Sequence, residues 1–189
     1  MAATLKAYKG MGMEGSTARW YDRTTRKDLP EIRELAARIA ALVPPAGDVL
    51  EVAPGPGFLS IELARRGLHV RAVDISKTFV EIVQRNAAAD NVTVAVQQGN
   101  ASALPFPDAC GTALLIDMRR DVALADIKRY VDNLGVSWLN RRFMMFTFRH
   151  MLIKRAYPLD EIRRMATQAG WSGLRIETGP LGFDAWTTK

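Results

Sequence analysis

A single cysteine, Cys110, leaves this chain without the means of an intrachain disulfide and without any sign of an oxidising compartment. No segment approaches the roughly 18 apolar residues that a membrane span requires, and Lys6 and Lys9 are not followed by the apolar stretch of a secretory leader. Neither secretion nor membrane insertion is expected, and a reducing cytoplasm fits best. His69 and His150 are the only histidines, and no metal site is expected. There is no run of five like charges and no aromatic signature of RNA binding, so nucleic acid is not an expected partner. What the chain does have is 48% hydrophobic content over 189 residues, enough for one domain with a full core. Its 26 basic residues against 20 acidic ones give a net charge of +6. That balance favours anionic partners, although a solvated basic surface accounts for the same numbers.

Read along the chain, residues 1–27 hold isolated large apolar groups (Met11, Met13, Trp20, Tyr21) without a sustained period, as in an arm or lid. Asp28-Leu29-Pro30-Glu31 then supplies a capping residue, a first-turn proline and an acid at the third helical position, which predicts a helix to about Leu42. From Asp28 onward the pattern is that of a single α/β domain. Asp48–Val52 reads as a strand, Phe58–Arg66 as a helix stopped by Gly67, and Leu68–Asp74 as a second strand. Ser76 caps a predicted helix over Lys77–Ala89, and Asn91–Val96 is a third strand. Strands alternating with helices imply a right-handed parallel sheet.

After the loop holding Pro105 and Pro107, Gly111–Met118 reads as a buried strand with no helix between it and the third. Helices are predicted over Val122–Leu134, Trp138–Arg155 and Pro158–Ala169. The tail, Leu174–Thr178 and Phe183–Thr188 around Gly179-Pro180-Leu181-Gly182, predicts an antiparallel hairpin.

A strand, a glycine turn, a helix, a second strand and a terminal acid recur where adenosine binds at the carboxyl edge of a parallel sheet, because side chains there would block it. Gly55 and Gly57 give that clearance, and Asp74 ends the second strand. The segments Val49-Leu50-Glu51-Val52-Ala53-Pro54-Gly55-Pro56-Gly57, Val73-Asp74-Ile75-Ser76 and Gln98-Gly99-Asn100-Ala101 together resemble the three cofactor motifs of class I S-adenosylmethionine-dependent methyltransferases. The hairpin ending in Trp186 is similar to that family's tail.

The resemblance implies a Rossmann-like, doubly wound, mostly parallel sheet that binds S-adenosyl-L-methionine and releases S-adenosyl-L-homocysteine. It places Glu51 and the Ala53–Gly57 turn, Pro54 included, on the methionine and ribose side, and Asp74 at the ribose hydroxyls. Ile75 falls on the adenine face, and Asn100 with Ala101 on the adenine edge. Asn100 departs from the family's frequent Asp, and an uncharged carbonyl acceptor makes that contact weaker.

The family's sheet has seven strands, the fourth beside the first, and here that strand is missing. The join near Cys110-Gly111 skips roughly 30 residues, the size of one βα unit, and about six strands are expected instead of seven. An alternative keeps Thr112–Met118 as the fourth strand and makes Arg142–Phe148 the fifth. Exposed sheet edges are costly, so a homodimer, with elements exchanged between copies, is expected to accommodate the loss.

A small-molecule methyl acceptor is the expected partner. Alignment and exclusion of water supply much of methyl-transfer catalysis, so a general base is optional; His150 and Tyr21 are the candidates. Trp20, Tyr21 and Asp22 suit a lid, and Asp117 stands near a strand's carboxyl end or pairs with Arg119 or Arg120. Two lesser alternatives are a cofactor-binding protein without catalysis and RNA binding through Arg141–Arg155.

Overall fold

The computed structural model describes residues 13–100 and 112–188, and contacts divide the chain into two compact units, one ending at Phe106 and one beginning at Pro107. The first contains helices α1 (Gly15–Thr25), α2 (Leu29–Ala40), α3 (Phe58–Arg65) and α4 (Lys77–Ala89), with strands β1 (Asp48–Val52), β2 (His69–Asp74) and β3 (Val94–Gln98). The strands are parallel in the order β1-β2-β3, with Val52 opposite Val73 and Asp74 opposite Gln98. All three carboxyl ends therefore lie along one edge, where the three sequence motifs begin.

The apolar spacing read from the sequence is what covers this sheet. Ala36, Leu63, Leu68 and Val70 form a buried cluster, joined by Ile39, Val49, Leu59 and Val94 from α2, α3 and the strands and by Val43 from the turn after α2. Ser76 caps α4 as expected, its hydroxyl accepting from the Phe79 N–H at 3.1 Å. At Asp28 the expected side-chain cap is not made. The backbone there (φ −84°, ψ 2°) continues a 3-10 turn over Arg26–Asp28 into α2, so the extended geometry of a capping residue is absent. The third strand begins at Val94 because Asn91, at φ 55°, closes the end of α4 in the left-handed conformation.

Residues 15–25 are helical, where the sequence showed no apolar period. The signal is weak because the inward positions are the small Ala18 and the charged Asp22. Ala18 is fully buried against Phe79 and Ile82 of α4, so this helix is part of the first unit.

The second unit has strands β4 (Thr112–Met118), β5 (Ser172–Thr178) and β6 (Gly182–Thr188), with helices α5 (Leu124–Asn133), α6 (Trp138–Thr147), α7 (Ile153–Arg155) and α8 (Leu159–Gln168). A π-helical turn over Phe148–Leu152 links α6 to α7. The hairpin β5-β6 is antiparallel as expected. β4 pairs with the other side of β6, also antiparallel, giving the order β4-β6-β5. The six strands thus form two three-stranded sheets, one parallel and one antiparallel, among the described residues.

Residues 142–147 belong to α6 and Phe148 opens the π turn, which removes the alternative that made Arg142–Phe148 a strand. Met144, Met145 and Phe148 pack on Val122, Ile127 and Val131, a helical and not an alternating set. The Cys110-Gly111 join and Ala101 lie outside the described residues.

Candidate functional site

The glycine turn is built by backbone conformations that most residues avoid. Ala53 (φ 59°), Gly55 (φ 54°) and Gly57 (φ 81°) are all left-handed, so the chain doubles back between β1 and α3 within five residues. Ala53 carries a steric penalty that the glycines do not, and its N–H donates to the Val73 carbonyl at 2.8 Å, extending the β1-β2 pairing one step. Gly57 is required for a second reason: a Cβ there would stand 2.8 Å from Val83 Cγ2, so α4 approaches the turn more closely than any side chain allows. At Gly55 the nearest atom to an added methyl would be Tyr21 Cε1 at 3.9 Å, and the turn is therefore open on that side. Pro54 and Pro56 are buried.

Asp74 closes the turn electrostatically. One carboxylate oxygen accepts from the Gly55 N–H at 3.2 Å and the other from the Ser76 N–H at 2.8 Å. Burial raises its pKa, and those two backbone donors act in the opposite direction. Each oxygen keeps a further lone pair for another donor. Glu51 lies deeper. Its carboxyl accepts from the Ser60 hydroxyl of α3, and burial pushes its pKa up to about 7, against the lowering effect of Ser60 and helped by the charge of Asp74. At neutral pH Glu51 is therefore close to half-protonated, a carboxyl able to donate or accept.

Ile75 and Asn100 are half-buried at the same edge. Gln98 Nε2 donates to the Ile75 carbonyl at 3.1 Å, and the Gly99 N–H donates to the Asp74 carbonyl at 2.9 Å. A Cβ at Gly99 would meet Val73 Cγ1 at 2.8 Å, so this glycine also permits a close approach. The structure thus brings Glu51, Ala53, Pro54, Gly55, Gly57, Asp74, Ile75 and Asn100 to one end of one sheet.

Helix α1 is tied to this end by two sets of contacts that sequence reasoning missed. Glu14 accepts from the Lys77 and Thr78 N–H groups at 3.0 Å each, satisfying the first donors of α4, and the Ser76 hydroxyl donates to the Met13 carbonyl at 2.7 Å. Further along, buried Asp22 pairs with Arg85 at 2.7 Å and Arg26 at 3.3 Å and accepts from Asn86 Nδ2 at 3.1 Å. Asn86 Nδ2 also donates to the Pro56 carbonyl at 3.0 Å. Asn86 therefore links α1, α4 and the glycine turn through one amide. No local pattern announces it, because its partners are 64 and 30 residues away.

Tyr21 rides on this arrangement, edge-on to Phe79 with ring centroids 6.1 Å apart. Burial first, and the charge of Asp28 second, raise its phenol above the usual value, so it carries its proton at neutral pH. His150 belongs to the second unit, is exposed, and lies against Phe146 with ring centroids 4.8 Å apart. Asp117 accepts from the Met118 N–H at 2.7 Å, while Arg119 pairs with Asp121 and Arg120 donates to the Ala156 carbonyl. The pairing of Asp117 with either arginine is not what the structure shows.

Residues 49–135 match the family model described as "Methyltransferase domain", a span that opens in β1 and closes after α5. A probable ribosomal RNA small subunit methyltransferase A of Pyrobaculum aerophilum is 43% identical over 75 residues, covering 40% of this chain and 32% of that protein. The chain spans from a quarter to about a third of the length of the curated relatives it matches.

Among solved structures, a putative S-adenosyl-L-methionine-dependent methyltransferase of Methanococcus maripaludis aligns over 97% of this chain and 96% of its own, with a TM-score of 0.67 and 17% identity. Magnesium protoporphyrin IX methyltransferase of Synechocystis PCC 6803, with bound SAH, aligns over 95% and 90% with a TM-score of 0.58 and 14% identity. At these identities the structural likeness speaks for the fold. Residues 49–135 thus match a methyltransferase domain, and the likeness to solved structures gives the chain the Rossmann-like fold of S-adenosylmethionine-dependent methyltransferases.

Proposed function

We propose that the chain binds S-adenosyl-L-methionine at the carboxyl edge of β1-β2-β3 and transfers its methyl group to a small-molecule acceptor. The observation that carries this reading is the left-handed turn Ala53–Gly57, open at Gly55 and closed underneath by Asp74. The residues suit the group. Asp74 is an acceptor with lone pairs directed beyond its two backbone donors, as ribose hydroxyls need, and Ile75 offers an apolar surface to a base. Glu51, with a pKa near 7, gains by ionising beside a cationic ligand group. Asn100 offers a carbonyl to an adenine amino group.

When bound, S-adenosyl-L-methionine would supply an electrophilic methyl carbon, to which an acceptor lone pair bonds in line as the C–S bond breaks and its electron pair stays with the sulfur of S-adenosyl-L-homocysteine. The chain's own work is to position and to exclude water. The Ala53–Gly57 backbone and Asp74 hold the donor, and Asn86 keeps the turn in place through the Pro56 carbonyl. Tyr21, whose phenol keeps its proton at neutral pH, has its ring beside the opening at Gly55.

The shortened sheet belongs to the same proposal. β1 pairs only with β2 among the described residues, which fits the loss of a strand beside β1. A homodimer covering that edge is the arrangement favoured, within the reducing cytoplasm that lone Cys110 suits. Calorimetry with S-adenosyl-L-methionine and S-adenosyl-L-homocysteine tests the donor site, and absence of heat with both defeats the reading. Transfer of labelled methyl to a metabolite extract tests catalysis, and donor binding without transfer would leave a binding module in place of an enzyme. A monomer at micromolar concentration in sedimentation defeats the dimer.

A further inference from the structure

One face of α6 is unlike the rest of the surface. Trp138, Leu139, Phe143 and Phe146 are 73%, 62%, 67% and 58% exposed, a run of large apolar side chains that water disfavours. Helical spacing places all four on one side with Arg142, Arg149 and His150, each also exposed. The opposite side of the helix is spoken for: Met144, Met145 and Phe148 pack on the core, and Arg141 pairs with Asp132 at 2.6 Å. The inward side is therefore packed and the outward side faces water.

Its charge is one-sided. Between Asp132 and Asp160 the chain has no acidic residue, while Arg141, Arg142, Arg149, Lys154 and Arg155 are basic. Whatever meets this face must accept large apolar side chains and supply negative charge in the same layer.

We propose that this face of α6 docks on an anionic lipid surface, with Trp138, Leu139, Phe143 and Phe146 entering the interface and Arg142 and Arg149 reaching the headgroup phosphates. Aromatic and leucine side chains on a helix face with interleaved arginines are what an interfacial helix requires. The arginine stems lie along the apolar layer while the guanidiniums stay with the phosphates. A second copy fits poorly, since a two-fold contact through this face brings four arginines together without an acid. Single-stranded RNA also fits less well: Leu139 offers no stacking surface, and two arginines make few phosphate contacts beside four apolar groups. No helix among the described residues is long and apolar enough to cross a membrane, so the contact is on the surface. This inference does not depend on the methyl-transfer reading.

The test is co-sedimentation of the full chain with vesicles of phosphatidylglycerol and phosphatidylcholine, against vesicles of phosphatidylcholine alone. We expect binding to the anionic vesicles at least tenfold tighter than to neutral ones. Leu139→Ser with Phe143→Ser should reduce it by tenfold or more, as should Arg142→Glu with Arg149→Glu. These positions are exposed, and an unchanged thermal melt verifies that the variants fold. A blue shift of tryptophan emission on anionic vesicles, abolished by Trp138→Phe, places the face itself in the interface. Equal partition to both vesicle types, binding indifferent to both double variants, tighter binding of a single-stranded RNA oligomer, or a dimer abolished by the Leu139 and Phe143 substitutions would each overturn the proposal.

Discussion

Replacing Gly57 by alanine probes the closest approach in the candidate site. Two costs are separable in the structure. The backbone at φ 81° is left-handed, which costs an L-residue about 1 kcal/mol or somewhat more. The new Cβ would also stand 2.8 Å from Val83 Cγ2 and 2.9 Å from Cγ1, and forcing a methyl into a packed site costs about 1–3 kcal/mol. Gly57→Ala alone should therefore lose about 2–4 kcal/mol, read from the midpoint of urea unfolding followed by circular dichroism. Val83 is fully buried, and Val83→Ala should by itself lose about 1–3 kcal/mol through the cavity it leaves. Combined, the two should lose less than their sum by about 1–3 kcal/mol, because the cavity admits the methyl, while the backbone cost stays. Additivity within about 0.5 kcal/mol would refute the claim that α4 needs a bare backbone at this position.

Glu51 gives a pH prediction. Its folded pKa, about 7, lies above its ordinary 4.5, so the native state holds a proton that the unfolded state has released between those values. The stability associated with the protonated carboxyl is full below pH 4.5 and is lost as pH rises through 7, by on the order of 3 kcal/mol. Glu51→Gln should flatten the unfolding free energy across that window, and an unchanged slope in wild type and variant argues against a buried neutral Glu51. Asp74→Ala removes the acceptor of the Gly55 and Ser76 N–H groups and is expected to weaken S-adenosyl-L-methionine binding in calorimetry by about ten- to a hundredfold, or about 1.4–2.8 kcal/mol. Asn86→Ala leaves the Pro56 carbonyl without its side-chain donor and takes one donor from buried Asp22, which keeps Arg85 and Arg26; this should destabilise the fold by about 1–3 kcal/mol and raise amide exchange in α1 and in the turn together. Exchange rising in α1 alone would show that the two are not coupled through this amide.

Local chemistry made much of the first unit legible. β1 and α4 have the bounds read from the chain, because each is marked by strong local punctuation: Pro44-Pro45-Ala46-Gly47 before one and the Ser76 cap before the other. The turn Ala53–Gly57 and the acid at Asp74 were equally plain, since glycine spacing and a strand-ending carboxylate are written in adjacent residues. The boundary at Asn91 was not, because whether an asparagine turns left-handed to end a helix or starts a strand depends on what packs beyond it. Helix α1 was missed for a related reason: its inward side chains are an alanine and an aspartate, whose burial makes sense only beside Phe79, Ile82, Arg85 and Asn86 of a helix some 60 residues later.

By itself, then, the order of residues determined the α/β class, the parallel strand-turn-helix core and the acceptor groups at its carboxyl edge, because those depend on conformational preferences and periodicities a few residues long. Tertiary structure alone decided that β4 joins the β5-β6 hairpin, that the pKa of the Glu51 carboxyl is pushed up to about 7, and that Asn86 fastens α1 to the turn. Each of these arises from groups brought out of water against partners distant in the chain, and no short stretch of sequence contains both sides of such a contact.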